Sequence, residues 1–455
     1  MAKQSPFLQR IRSLGSRAAA WRAGHGEPRA RAVMHLCDAL LSGRGEVSGA
    51  RVAAELLSAY RALDAPARDA FFDMLRESFV PDTAQVAGAA DAYGQAPSPE
   101  TLRRLQTAVE PPRQELFRRV NLAPGGTAAL IGMRRDLLAT LRDHPERAGV
   151  DNELAHLFRS WFNGGFLVLR RIDWRTSAVV LERLIQYEAV HQIQGWDDLR
   201  RRLEADRRCY AFFHPALPDE PLIFIEVALT ERISPRVQPL LDPNAGVLDP
   251  AHARCAVFYS ITHCQEGLRG ISFGSLLIKQ VVEDLTRSVP RVRRFATLSP
   301  IPDFHKWLAT ELSDVLDDLE SRAARLKNEP IAADLRDELM GLCAFYLTQA
   351  KHGKAPFDSV ARFHLANGAS LERLNWLADT SESGIRRSFG MMANYVYRLD
   401  DLERNHESYA RGYKVVASRH IERLAKQSPL ASRTSRSRVA DPGSRIPDPG
   451  SRVPD

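Results

Sequence analysis

Apolar positions in this chain recur at helical spacing first and at strand spacing later. In RARAVMHLCDALLSGRGE, Val33, Leu36, Cys37, Leu40 and Leu41 follow the three-to-four-residue period of an amphipathic helix, and Gly43 supplies a stop. Asp64-Ala65-Pro66 opens a second helix carrying Phe71, Phe72, Leu75 and Phe79. Ser98-Pro99 opens another with Leu102, Leu105 and Val109, the serine suited to cap it and the proline to its first turn. Leu116, Phe117 and Val120 carry the pattern beyond Pro111-Pro112. Residues 1–160 are therefore expected to be helical, as a scaffold or an oligomerisation surface.

The period shortens near residue 161. WFNGGFLVLRRIDW, PLIFIEVALT (221–230), AVFYSIT (256–262) and RRFATLSPIP (293–302) read as strands, separated by helices such as TSAVVLERLIQYEAV and WDDLRRRL. That alternation predicts a domain of α/β or α+β type with a central sheet over 161–426. Residues 303–350 turn helical again, as an insertion, and NHESYARGYKVVASRHIERLAK is expected to be the last helix. From 427 to 455 the chain degenerates into DPGSRIPDPGSRVPD, too rich in proline for a helix and too poor in apolar side chains for a core. It is expected to be a disordered tail.

A length of 455 residues exceeds what one core usually supports, which agrees with more than one domain. No apolar run approaches the span of a bilayer. The basic N-terminus lacks the apolar block of a secretory signal, and an organelle-targeting peptide is the less favoured reading of its Arg and Ser content. Five cysteines, far apart and without a C-x-x-C pair, argue against a disulfide framework and a cysteine-built zinc site, so a reducing cytoplasm is the simplest compartment. The net charge of +7 is spread along helices among Asp and Glu, with no nucleic-acid motif. A small polyanionic ligand or plain solvated faces account for it.

Chemistry enters at CQEGLRGISFGSLLIKQVVEDL (264–285), where a glycine-bearing loop joins a strand to a helix. Such a junction offers backbone N–H groups and a positive helix end to an anion, although the glycines also fit a bare turn. No Gly-Lys-Ser follows, and the spacing is not G-x-G-x-x-G, so nucleotide P-loop and dinucleotide readings drop out. His263 and Cys264 beside the loop lack a third metal ligand nearby.

Arg269-Gly270-Ile271-Ser272-Phe273-Gly274 resembles the Q/R-x-x-G-x-G/A loop of the GNAT (N-acetyltransferase) fold, with serine in place of the middle glycine. The resemblance implies that this loop, with Ser275, binds the diphosphate of coenzyme A. FYSITHCQEGLRGISFG, HPALPDEPLIFIEVALT, FATLSPIPDFHKWL and the stretch from ARFHLANGAS to ERNHESY further resemble the malonyl-CoA decarboxylase family over about 161–424, and more loosely before it. That family implies an all-helical N-terminal domain, then a catalytic domain of acetyltransferase-like mixed sheet with a helical insertion. It implies a carboxy-lyase of fatty acid metabolism converting malonyl-CoA to acetyl-CoA and CO2 through a thioester enolate protonated by a histidine.

The resemblance places Ser299 of LSPIP and His364 of FHLANG as the catalytic pair, also in contact with substrate. The resemblance implies that His364 donates the proton to Cα, its pKa near working pH, and that Ser299 holds the malonyl group and accepts a proton, relaying toward the histidine, with the direction of that relay left open by the sequence. By themselves the two residues would be read as a strand-end turn and a half-buried histidine with a satisfied hydrogen bond. No metal or organic cofactor is implied, CoA being part of the substrate. The implied partners are malonyl-CoA, acetyl-CoA and further copies of the chain, with neither nucleic acid nor membrane. Asn367-Gly368 and Asn394-Tyr395 read as turn or packing residues, and Arg170-Arg171 and Arg386-Arg387 as solvated faces. Two alternatives stand: an acyl-CoA-dependent N-acyltransferase of the same fold, and a non-catalytic acyl-CoA sensor.

Overall fold

In the computed structural model, which describes residues 28–42, 46–271, 273, 277–313, 321 and 333–431, Asp64 and Ser98 start helices as their side chains allow. Asp64 accepts from the Ala67 amide to cap Ala65–Ser78, and Ser98 forms a reciprocal capping box with Thr101 at the head of Pro99–Val109. Phe71, Phe72 and Leu75 are at most 1% exposed. At roughly 1.5–3 kcal/mol for each fully buried large side chain, that face holds its helix to its neighbours. Helices Pro28–Leu41, Glu46–Arg61, Pro112–Asn121, Gly126–Thr140 and Ala148–Trp161 complete the core of a helical unit. That unit extends to Val168 and also takes in Phe212–Ile223 and His263–Gly274. Pro99–Val109 differs from the rest, since no residue of it is buried and Leu102 and Val109 stay exposed.

The second unit, Leu169–Ala211, Phe224–Thr262 and Ser275–Asp455, is built on a mixed eight-stranded sheet. Its strands are β1 (Val168–Ile172), β2 (Arg207–Phe213), β3 (Ile223–Thr230), β4 (Cys255–His263), β5 (Arg294–Thr297), β6 (Ser299–Pro300), β9 (Ser370–Asn375) and β10 (Met392–Tyr397). The order is β1-β2-β3-β4-β5-β10-β6, with β9 also on β10. β7 (Lys351–His352) and β8 (Ala355–Pro356) form a separate hairpin. Strands β4 and β5 run parallel, and the helix Leu277–Ser288 crosses between them with Ile278, Val281, Val282 and Leu285 buried. Strand β10 runs antiparallel to β5, β6 and β9.

The chain departs from its sequence-based expectation in four places. WFNGGFLVLRRIDW yields a strand only over Val168–Ile172, because Trp161 closes a helix and Gly164–Phe166 forms a 3₁₀ turn. RRFATLSPIP breaks into β5 and β6 at Leu298. The final helix is two, Leu399–Gly412 and Arg419–Gln427. Tyr413 takes a left-handed φ of 51°, and the Val415-Val416 stretch lies along β9, where the Leu371 amide donates to Val416 O. Strands β2, β9 and β10 had no counterpart in the periodicity, being buried on both faces for much of their length. The repetitive stretch from residue 432 onward lies outside the described residues.

Candidate active site

Antiparallel pairing with β10 sets which way Ser299 points. Ala393 pairs with Ser299 and Val396 with Ala296, one register that runs through both β5 and β6. Side chains alternate along a strand, so Thr297, Ser299, Tyr395 and Tyr397 share one face. Leu298 and Met392 turn to the other, where they join an apolar cluster with Val257, Tyr259 and Val237. At the break between β5 and β6, the Asn394 side-chain amide donates to Thr297 O at 2.6 Å and the Tyr395 amide donates to Thr297 Oγ1 at 3.1 Å. Asn394 Oδ1 in turn accepts from Arg373 Nε and Asn375 Nδ2. The kink that presents Ser299 is therefore held by side chains from β9 and β10.

His364 reaches that face from the helix Ser359–Ala366. Asp358 caps the helix by accepting from the Ala361 amide at 2.7 Å, and its other oxygen accepts from Tyr346 Oη at 3.3 Å. Burial pushes the Asp358 carboxyl up to about 6. The helix stops at Asn367-Gly368, where Gly368 adopts φ +82° and a Cβ would lie 2.2 Å from Leu402 O. Those two residues are the turn that ends the helix, as their types imply.

Ser299 Oγ and His364 Nε2 lie 2.8 Å apart, with both residues buried. Ser299 Oγ donates to Thr297 Oγ1 at 2.8 Å, and a hydroxyl has a single proton. His364 Nε2–H must then be the donor to Ser299, which leaves Nδ1 to accept from Tyr397 Oη at 2.8 Å. The imidazole also stacks on Tyr395, with ring centres 4.6 Å apart. The ordered chain is Tyr397, His364, Ser299, Thr297. His364 does not have the near-neutral pKa expected of it. Burial without a compensating carboxylate pushes the His364 pKa down to about 3, far from working pH, so the ring is neutral in the free protein.

Leu268 ends a 3₁₀ turn, and Arg269 and Gly270 are exposed, Gly270 with φ +78°. Ile271 and Phe273 are buried, Phe273 stacked on His263. Ser272, Gly274 and Ser275 lie outside the described residues. The amides of Arg269 and Ile271 donate to Glu266 O and Leu268 O, so the expected run of open donors is narrower than the sequence implied. Among the described residues, no three His, Cys, Asp or Glu side chains gather as a metal site. Tyr397 and Thr297 have no place among the site residues that the sequence suggests, and Tyr395 stands there only as a turn or packing residue. The alternating tyrosines of MANYVY were the available signal.

A helical unit and a mixed sheet that carries a buried serine–histidine pair at a strand break supply the parts of a scaffold for proton transfer. The comparisons narrow that class. Residues 165–436 match the malonyl-CoA decarboxylase C-terminal domain and residues 79–162 its N-terminal domain. The chain is 34% identical over 421 residues to the mitochondrial malonyl-CoA decarboxylase of Anser anser anser, covering 83% of this chain and 84% of that one. To the Rattus norvegicus protein of that name it is 35% identical over 359 residues, covering 71% and 73%. The solved malonyl-CoA decarboxylase of Rhodopseudomonas palustris superposes with a TM-score of 0.82 at 47% identity, covering 87% of this chain and 99% of that one. That of Cupriavidus metallidurans gives 0.69 at 34%, covering 87% and 100%. The chain belongs to the malonyl-CoA decarboxylase family.

Proposed function

We propose that this chain converts malonyl-CoA to acetyl-CoA and CO2, with Ser299 and His364 moving the proton. The observation that carries this reading is the buried 2.8 Å contact between Ser299 Oγ and His364 Nε2, in a chain of this family. Loss of CO2 leaves an electron pair on Cα, delocalised into the thioester as an enolate. The carbonyl is itself the electron sink, so the reaction is written without metal or organic cofactor. One proton must then reach Cα.

A neutral His364 cannot supply that proton and remain neutral without taking another. The substrate solves this. Its carboxylate, once beside the pair, favours the imidazolium by direct attraction, and His364 takes a proton from solvent. CO2 leaves as a neutral molecule, so the negative charge passes to the thioester enolate, and its basic Cα draws a proton from the pair that the imidazolium keeps charged. Ser299 Oγ–H passes to Cα while His364 Nε2–H passes to Ser299 Oγ. The histidine ends neutral with its proton on Nδ1, facing Tyr397.

Arg269 and Gly270 are assigned to the CoA diphosphate, together with the loop residues that follow. The same proposal includes self-association through the helical unit, for which the exposed Leu102 and Val109 of Pro99–Val109 are the support. It also includes a reducing, cytoplasmic setting, supported by five buried free thiols. No helix of the described residues is long and apolar enough to cross a membrane.

The test is incubation of the purified chain with malonyl-CoA alone, before and after dialysis against EDTA. Acetyl-CoA and CO2 should form at equal rates in both, with one deuterium in the new methyl group when the solvent is D2O. Turnover only after an amine is added would favour the N-acyltransferase. Binding without turnover would favour the sensor.

A further inference from the structure

Arg134 lies on the helix Gly126–Thr140 and is 3% exposed. Its Nε donates to Asp151 Oδ1 at 2.7 Å. Its Nη1 donates to two main-chain carbonyls of the glycine loop, Gly267 O at 2.8 Å and Arg269 O at 2.9 Å. The loop lies directly on this helix, since a Cβ on Gly267 would stand 2.0 Å from Ile131 O. All of these residues belong to the helical unit.

The consequence for the loop follows from peptide planarity. The carbonyl of Arg269 and the N–H of Gly270 belong to one trans peptide, in which they point in opposite directions. By holding the carbonyl, Arg134 turns the Gly270 N–H away from the helix. The amides on either side, of Arg269 and Ile271, donate within the turn, whereas that of Gly270 has no acceptor among the described residues. Gly270 is exposed and has φ +78°, a conformation that side chains rarely adopt. Among the described residues of the loop, one open donor therefore stands at Gly270, aimed by a buried guanidinium that Asp151 neutralises.

We infer that Arg134, held by Asp151, is a positioning residue for the phosphate end of the acyl-CoA substrate, aiming the Gly270 N–H at the diphosphate. This inference rests on the reading of the loop as a CoA site. It gives the helical unit a part in substrate binding that a scaffold would not have. Arg134 touches neither substrate nor the reacting atoms. Its effect belongs to binding and is shared by ground and transition states.

Arg134→Gln and, from the loop's side and without a change of charge, Gly267→Ala are compared with the full-length wild type. The expected result for each is an increase of about tenfold or more in the Kd for coenzyme A and in KM for malonyl-CoA, the range of a lost hydrogen bond to a charged group. Turnover number should change little. Malonyl-pantetheine, which lacks the diphosphate, should be processed with unaltered kcat/KM, and Arg134→Lys should restore part of the affinity for CoA. An unchanged Kd in both variants overturns the inference, as does an equal loss on malonyl-pantetheine, the mark of a merely structural role. If the wild type itself fails to prefer CoA over pantetheine, the loop reading falls instead. If the wild type binds CoA but does not turn malonyl-CoA over, the decarboxylase reading falls and the Kd comparison still decides on Arg134.

Discussion

At the residue scale, His364 is a neutral buried imidazole between two hydroxyls, and both its chemistry and its cost follow from that. Replacing His364 or Ser299 by Ala should lower kcat at least about a hundredfold, the range of a general acid–base group, as measured by acetyl-CoA release at saturating substrate. Wild-type turnover in either variant would remove it from the relay. The depressed pKa also has a stability consequence. From 6.5 down to about 3, the unfolded chain binds a proton at this histidine that the folded chain refuses. Its contribution to stability is therefore present above 6.5 and lost as pH falls toward 3. Asp358 acts in the opposite sense: its carboxyl, raised from 3.8 to about 6, removes stability as pH rises between those values. His364→Gln should flatten the acid side of the stability profile, read as the slope of the urea midpoint against pH from 4 to 6. An unchanged slope would mean that other groups carry the acid sensitivity.

At the element scale, the helix Ser359–Ala366 aims the histidine, and a buried carboxylate starts it. Asp358→Ala removes the cap and strands the Tyr346 hydroxyl in an apolar layer. The expected cost is about 1–2 kcal/mol from the cap alone, measured by urea unfolding, with a fall in kcat because His364 sits in the last turn. A stability loss with unaltered kcat would show that β9 and β10 hold the histidine without the cap. Elements of this kind were unevenly legible. Asp64 and Ser98 are side chains that bond their own neighbours, so their helices could be read locally. Strand β10 could not, because MMANYV is an almost unbroken apolar run that suits a strand or a buried helix turn equally well. Its identity comes from three antiparallel partners supplied by segments up to about a hundred residues away.

At the scale of the whole molecule, helix Pro99–Val109 has the apolar spacing of a buried helix and buries nothing. If further copies of the chain cover it, Leu102→Glu with Val109→Glu should lower the assembly state, seen as a drop in mass by light scattering at unchanged helix content. An unaltered mass would move the interface elsewhere. The long-range arrangement also explains what the candidate site kept hidden. Ser299 and His364 were named from family motifs, and the residues around them, Thr297, Tyr395 and Tyr397, come together only once β5, β6 and β10 pair.

Periodicity, caps and motifs act over three or four residues, so the chain alone determined its helical first third, the change of texture near residue 161 and the family to which its motifs belong. What depended on folding was of another kind: the tautomer of His364, its loss of charge in the free protein, and the direction in which the Gly270 amide points. Each of these is set by partners tens or hundreds of residues distant and by the removal of water around them. Solvation and long-range hydrogen bonding have no local signature in a sequence, and they come into being only when the segments pack.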